Sequence, residues 1–400
     1  MKITLADIEQ AQQTLRGVVH QTPLELSKSA STFAPSQVYI KYENLQRTGS
    51  FKIRGAFNKI AQLTPQEKKQ GVVASSAGNH AQGVALSATL AQVKSTVVMP
   101  LTAPLSKVSA TQGYGAQVVL RGDIYDEAFE HAKELEKSQG LTFVHPYEDP
   151  YVIAGQGTIG LELLDAVADL TSVIVPIGGG GLISGIATAL KAKNPKVKIY
   201  GVQSSKAPSM AALFHGKPAP KIERISTIAD GIAIKKPSQL MYDSFISKLV
   251  DDVVTVDDNE IAEAIVYMME RTKTVTEGSG AAGMAALMNR RLDLGAKTCV
   301  VLSGGNIDLN IVSKIIERGQ IKQGRIIRIS AIVEDLPGNL NRLTQAIAKQ
   351  RANVLEVHHD RVKSDLYLRE TQIDFVLECN STEHGQQIRQ SLIDEGARIL

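Results

Sequence analysis

The sequence has no tryptophan, only 4% aromatic residues, and two cysteines in 400 positions. Stacking platforms for single-stranded nucleic acid need aromatic side chains, so that class is poorly supplied. A strong charge of one sign is missing too: 44 Lys and Arg face 41 Asp and Glu, a formal charge of +3. Such a small excess makes no phosphate-backbone magnet, and nucleic acid is not expected as a partner. Cys299 and Cys379 form no CxxC or metal spacing and read as buried, reduced thiols. The segment Met1 to Glu9 carries acidic residues where a signal peptide needs an apolar stretch. One run, Leu170 to Leu190, is uncharged over 21 residues, long enough to cross a bilayer. It contains five glycines and Pro176, however, and divides into strand, turn and helix. No membrane span is expected, and the chain reads as cytoplasmic.

What is present is an ordinary globular composition, 43% hydrophobic and 21% charged. At roughly 150 residues per domain the length suggests two or three domains. Helix and strand patterns alternate over most of the chain, which points to a mostly parallel sheet covered by helices. Strands are expected at Val38–Tyr42, Val72–Ser75, Ser95–Met99, Ala116–Leu120, Val173–Ile177, Ile199–Gln203, Val253–Val256 and Cys299–Ser303. Asp257 to Glu260 is an N-cap cluster opening a helix. The polar stretch Glu317 to Arg325 reads as a linker, so a first domain is expected over 1–320, with a small subdomain at about 45–145. Residues 326–400 follow the order βαββα with room for a last strand, and from 321 onward 11 basic residues balance 11 acidic ones.

Two features carry chemistry. Gly178-Gly-Gly-Gly-Leu-Ile-Ser-Gly185 sits between a strand and a helix, where unpartnered N–H groups and the positive helix end make an anion cradle. No Gly-Lys-Ser/Thr follows, and the spacing fails GxGxxG, so neither a P-loop nor a dinucleotide site is expected. A tight turn with no ligand is the plain alternative. Ser50-Phe-Lys-Ile-Arg-Gly55 places Lys52 in the first turn of a helix with Ser50 as its N-cap. The helix field lowers an ammonium pKa there, which helps a lysine act as nucleophile or base. Taken singly, Lys52 reads as a solvated surface residue. Beside a phosphate cradle it suggests a Schiff-base lysine for pyridoxal 5'-phosphate.

Four ordered motifs then carry a resemblance: Ser50 to Ala56, Ser76-Ala-Gly-Asn-His-Ala-Gln-Gly83, Gly178 to Leu182, and Ser303-Gly-Gly-Asn306. Together, over roughly residues 5–318, they resemble the threonine dehydratases, members of the tryptophan-synthase-like (fold type II) pyridoxal-phosphate enzymes. The resemblance implies an α/β fold: a parallel-sheet lyase core of two subdomains plus a C-terminal α+β unit. It also implies that Lys52 holds the cofactor, Phe51 packs by its ring, and Asn79 bonds the ring hydroxyl. Gly178, Gly179, Gly180, Gly181 and Leu182 would hold the phosphate, and Ser303 would meet the pyridine nitrogen. Ser76, Ala77, Gly78, Asn79 and His80 would receive the substrate carboxylate. The implied reaction removes water from threonine, or serine, and releases a 2-oxo acid and ammonia.

Some residues depart from relatives or have plainer readings. Racemases of this family place a serine where this chain has Ala77, which disfavours racemisation. Metal-binding members have a glutamate at the position of Gln203, so no metal is expected. Glu277 resembles a cofactor-side acid, but before an alanine-rich helix it reads chiefly as a cap. His358 and His359 alternate across a strand and read as solvated. Around Glu334-Asp-Leu-Pro-Gly-Asn-Leu340 the tail resembles the ACT domain, an amino-acid-sensing module, with Gly338 at the expected effector turn. The alternatives are a β-replacement enzyme of the same fold or a catalytically inactive amino-acid sensor. The expected partners are an amino-acid substrate, an amino-acid effector and copies of the same chain, as a dimer or tetramer.

Overall fold

The computed structural model describes residues 1–218, 220–222, 225–362 and 366–400. Two compact units divide between Ile307 and Asp308. Among the described residues the first contains ten strands in chain order: β1 Leu24–Leu26, β2 Gln37–Tyr42, β3 Val72–Ser75, β4 Ser95–Met99, β5 Gln117–Leu120, β6 Thr142–Phe143, β7 Ser172–Pro176, β8 Lys198–Ser204, β9 Asp252–Val256 and β10 Lys297–Leu302. They form a six-stranded sheet, β1-β2-β10-β7-β8-β9, and a four-stranded sheet, β5-β4-β3-β6. All pairings are parallel except β1 with β2.

Strands buried on both faces read as continuous apolar runs rather than alternating ones. Every residue of β7 is buried, as is every residue of β3. Helix ends follow local chemistry equally well. Thr64 and Glu67 form a capping box before Pro65–Gln70, and Asp257 and Glu260 do the same for Asp258–Tyr267. The uncharged run Leu170 to Leu190 becomes β7, a glycine turn and part of the helix Gly181–Lys193. Among the described residues no helix is long and apolar enough to cross a membrane. Both cysteines are free and buried.

The helix Lys52–Ala61 buries Ile53, Ala56 and Ile60 along one face. It presses against the helix Pro150–Ala166, where a side chain on Gly155 would collide with the backbone at Arg54 and Gly55. Beneath it lies a closed ionic cluster. Arg54 grips both oxygens of Glu43, at 2.8 Å each, and reaches Glu162 at 2.6 Å, while Lys41 meets Glu162 at 2.6 Å. Arg54 and Glu43 have no exposed surface.

The second unit runs through β11 Ile326–Glu334, β12 Asn353–Asp360, β13 Glu370–Glu378 and β14 Arg398–Ile399, ordered β12-β13-β11-β14 and antiparallel. Helices Asn339–Lys349 and Thr382–Asp394 supply Leu343, Ile347, Ile388 and Leu392 to its core. The stretch expected as a linker is instead the end of a helix, Leu309–Lys322, which carries Gly319 within it. Its one buried residue, Ile315, lies outside the polar segment whose composition suggested a loop.

Candidate active site

In parallel sheets ligands gather beyond the carboxyl ends of the strands. All four sequence motifs lie there. The segment after β2 leads to Lys52, β3 runs into Ser76 to His80, β7 into the glycines, and β10 into Ser303. The loops zip together directly. Ser50 pairs with Gly304 in an isolated bridge, Phe51 N donates to Ser303 O (3.2 Å), and Gly305 N donates to Gly49 O (2.8 Å).

Lys52 Nζ donates to Pro146 O at 3.1 Å and lies 5.2 Å from the centre of the Phe51 ring. Burial lowers the ammonium pKa to about 8, against an opposing pull from Glu277. At pH 7 roughly a tenth of the amine is therefore neutral, against well under a hundredth at the ordinary lysine value. Ser50 is not the N-cap: Phe51 occupies that position in helical conformation and makes no side-chain cap. The Ser50 hydroxyl is buried without a partner, because the bridge to Gly304 turns the residue into the seam between loops.

Asn79 opens the helix Asn79–Leu90, and its Nδ2 donates to Glu277 Oε1 at 2.6 Å. Glu277 stands at the N-cap position of Gly278–Met288 but makes no cap bond, so the capping role expected for it is not made. Its carboxyl turns towards Asn79, and burial, aided by Asp230, raises its pKa to about 8. In the loop after β3, Gly78 N donates to Ser76 Oγ at 3.1 Å, and Ala77 packs against an apolar cluster that includes Ala81, Ala85 and Val97. His80 donates from Nε2 to Val144 O at 2.8 Å, and burial lowers its pKa to about 3, so the ring is neutral. The Nε2 side of the ring is thereby committed to Val144, while Nδ1 is buried without a partner.

At the glycine run, Gly180 caps the helix with φ +98°, a conformation side-chain-bearing residues rarely adopt. Any Cβ on Gly179 would strike the Tyr147 ring, and one on Gly181 would lie 2.9 Å from Tyr147 Cβ. Leu182 puts its side chain in the core while its amide stays in the first turn. Ser303 is buried at the end of β10. Sequence reasoning did not find Pro146 and Tyr147, though they follow β6 and the strand-end rule could have drawn attention to them. Asn306 belongs to the fourth motif, which by itself assigns its side chain no role. Among the described residues no group of three or more His, Cys, Asp or Glu side chains could hold a metal. Gln203 is engaged with backbone, donating to Ile177 O and accepting from Ala211 N.

Residues 15–304 match the model of a family described as pyridoxal-phosphate dependent enzyme. The chain belongs to that family. The family's cofactor is pyridoxal 5'-phosphate, and the core has its fold type II architecture. The donor set fits: first-turn amides without intrahelical acceptors suit a phosphate, and a desolvated amine suits an aldehyde carbon. The chain is 48% identical over 397 residues to an L-threonine ammonia-lyase of Thermotoga maritima, covering 99% of both chains. Among solved structures it is similar to processed threonine deaminase isoform 2 from Solanum lycopersicum. That match has a TM-score of 0.74 and 37% identity, covering 79% of this chain and 87% of that one. A maize serine racemase also matches, with a TM-score of 0.74 and 34% identity over 80% of this chain and 99% of that one.

Proposed function

We propose that this protein is a threonine ammonia-lyase that removes water from L-threonine, and from L-serine, and releases an enamine that a water molecule hydrolyses to 2-oxobutanoate or pyruvate and ammonia. The observation that carries this reading is the 48% identity to an L-threonine ammonia-lyase along essentially the whole of both chains. Bound pyridoxal phosphate supplies an electron sink conjugated to the substrate's amino nitrogen. The chain's own residues do the rest. Lys52 would tether the cofactor, and its free amine would accept the substrate's α-proton; its lowered pKa supports that role. Gly178 to Gly181 and Leu182 hold the phosphate through backbone amides, Phe51 packs by the ring, Asn79 donates to the ring hydroxyl, and Ser303 meets the ring nitrogen. Within the Ser76 to His80 loop the amides of Ala77, Asn79 and His80 would bind the substrate carboxylate at a helix start, since those of Ser76 and Gly78 donate to Val98 O and Ser76 Oγ.

The likeness to a serine racemase supports a second reading, racemisation. Ala77 offers no hydroxyl to carry a proton to the opposite face, so elimination is favoured. Incubating the purified protein with threonine should yield 2-oxobutanoate, and chiral analysis of serine during turnover should show little D-serine. D-serine forming as fast as pyruvate would select the racemase. Absence of both products would leave the inactive-sensor alternative.

The function is cytoplasmic and the assembly a homo-oligomer in this reading, and residues 326–400 act as an ACT-like amino-acid sensor. Support comes from the antiparallel sheet with two helices and from Gly338, which caps its helix at φ +93° with nothing within 4 Å of a Cβ placed there. Isoleucine or valine should shift the threonine saturation curve of the parent and not that of Gly338→Val. No response to any amino acid would discard the sensor.

A further inference from the structure

Asn306 closes the loop after β10, and the roles assigned above leave its side chain unused. Its Nδ2 carries two hydrogens and commits both, to Thr48 O at 2.7 Å and to Asn79 Oδ1 at 2.7 Å. A backbone carbonyl can only accept, so Asn306 must face Thr48 with its nitrogen. That same nitrogen then requires an acceptor from Asn79, which turns its Oδ1 inward. Asn79 Nδ2 is left aimed at Glu277 Oε1, 2.6 Å away, with one hydrogen to spare. The polarity of the relay is thus set at one end by a carbonyl and received at the other by a carboxyl.

The turn before Lys52 is shaped around this side chain. Gly49 has φ +70°, and a Cβ there would overlap Asn306 Oδ1. Gly304 lies equally close to the other end, where a Cβ would press on Glu277 Oε1 and come within 3.1 Å of Asn79 Nδ2. We infer that Asn306 is a positioning residue that fixes the direction of the Asn79 amide, so that a donor rather than an acceptor faces Glu277 and the cofactor's ring oxygen. The inference rests on the cofactor reading above.

Two substitutions separate orientation from space-filling. Asn306→Asp keeps the shape but cannot donate to Thr48 O, and it draws Asn79 Nδ2 to itself, presenting Oδ1 to Glu277. Asn306→Ala removes the relay without reversing Asn79. Apo-protein titrated with pyridoxal phosphate, followed by visible absorbance, should show a Kd raised about tenfold for Asp and about threefold for Ala, the scale of one hydrogen bond. The pH midpoint of that absorbance should move in the Asp variant and stay in the Ala variant. Ala more harmful than Asp, or both within twofold of the parent with an unmoved midpoint, overturns the inference alone. A parent that binds no pyridoxal phosphate overturns the cofactor reading and this inference with it. Should Asn306→Asp fail to fold, Asn306→Leu serves: a loss equal to that of Ala supports orientation, whereas near-parental binding means the side chain only fills space.

Discussion

Lys52 and Arg54 stand two residues apart on one helix, the first partly and the second wholly buried, each with glutamates nearby, and their surroundings differ in kind. Arg54 is matched: Glu43 and Glu162 each accept two hydrogen bonds from its fork, Thr158 Oγ1 accepts the fifth, and Lys41 balances the second carboxylate. Burial pushes the Glu43 pKa up, but Arg54, Lys41 and the Thr22 hydrogen bond together outweigh it and the group ends below its ordinary value. Lys52 meets only a carbonyl, and the nearest carboxyl, Glu277, is bonded to an amide instead. Both titrate near 8, one lowered and the other raised. Charges that are fully paired are fixed in their ionised forms, whereas charges denied a close partner are held near the point of proton exchange. The matched cluster therefore anchors the helix, and the unmatched pair can move protons.

The largest expected effect lies at the unmatched site. Lys52→Ala should lower kcat/KM by about 10⁴-fold or more, since tether and base go together, and should abolish the visible absorbance of bound cofactor. Turnover above a hundredth of parental would break the contrast. Arg54→Met should act on stability instead, costing about 3–5 kcal/mol in chemical denaturation because Glu43 is left buried and unpaired. A loss under 1 kcal/mol would show that the cluster is dispensable. Glu277→Gln sharpens the comparison through pH. With the native Glu277 pKa raised above the unfolded value, the unfolded chain ionises first, and parental apo-protein loses stability as pH rises from about 4.5 to 8. The Gln variant should lack that slope and exceed the parent at pH 8 by at least about 1 kcal/mol, the scale of one pKa unit. Glu43 has the opposite sign, its contribution being lost on acidification. Parallel stability curves for parent and Glu277→Gln would contradict this. Smallest is Ser50→Ala, expected to change stability by under about 0.5 kcal/mol because no cap is lost; a cost near 1 kcal/mol would restore the capping role.

The sequence by itself determined most of the elements, though not the helix end at Lys322, and where each motif falls on them. Apolar runs such as Ser172–Pro176 and capping boxes such as Thr64 with Glu67 act over a few residues, so their outcome is legible locally. The anion cradle followed the same way, from glycines between a buried strand and a helix. The ionic cluster was not legible, since Lys41, Glu43, Arg54 and Glu162 look like ordinary surface charges in a row of letters. Nor was the direction of Glu277, whose spacing suits a cap until Asn79, 198 residues away, supplies a better donor. Tertiary structure alone brought β2 beside β10, seated Tyr147 on the glycines, and aligned Thr48, Asn306 and Asn79. Each depends on hydrogen bonds or contacts between distant segments, and in a folded interior such a bond prevails over a local preference of similar strength because leaving the buried partner unpaired costs more.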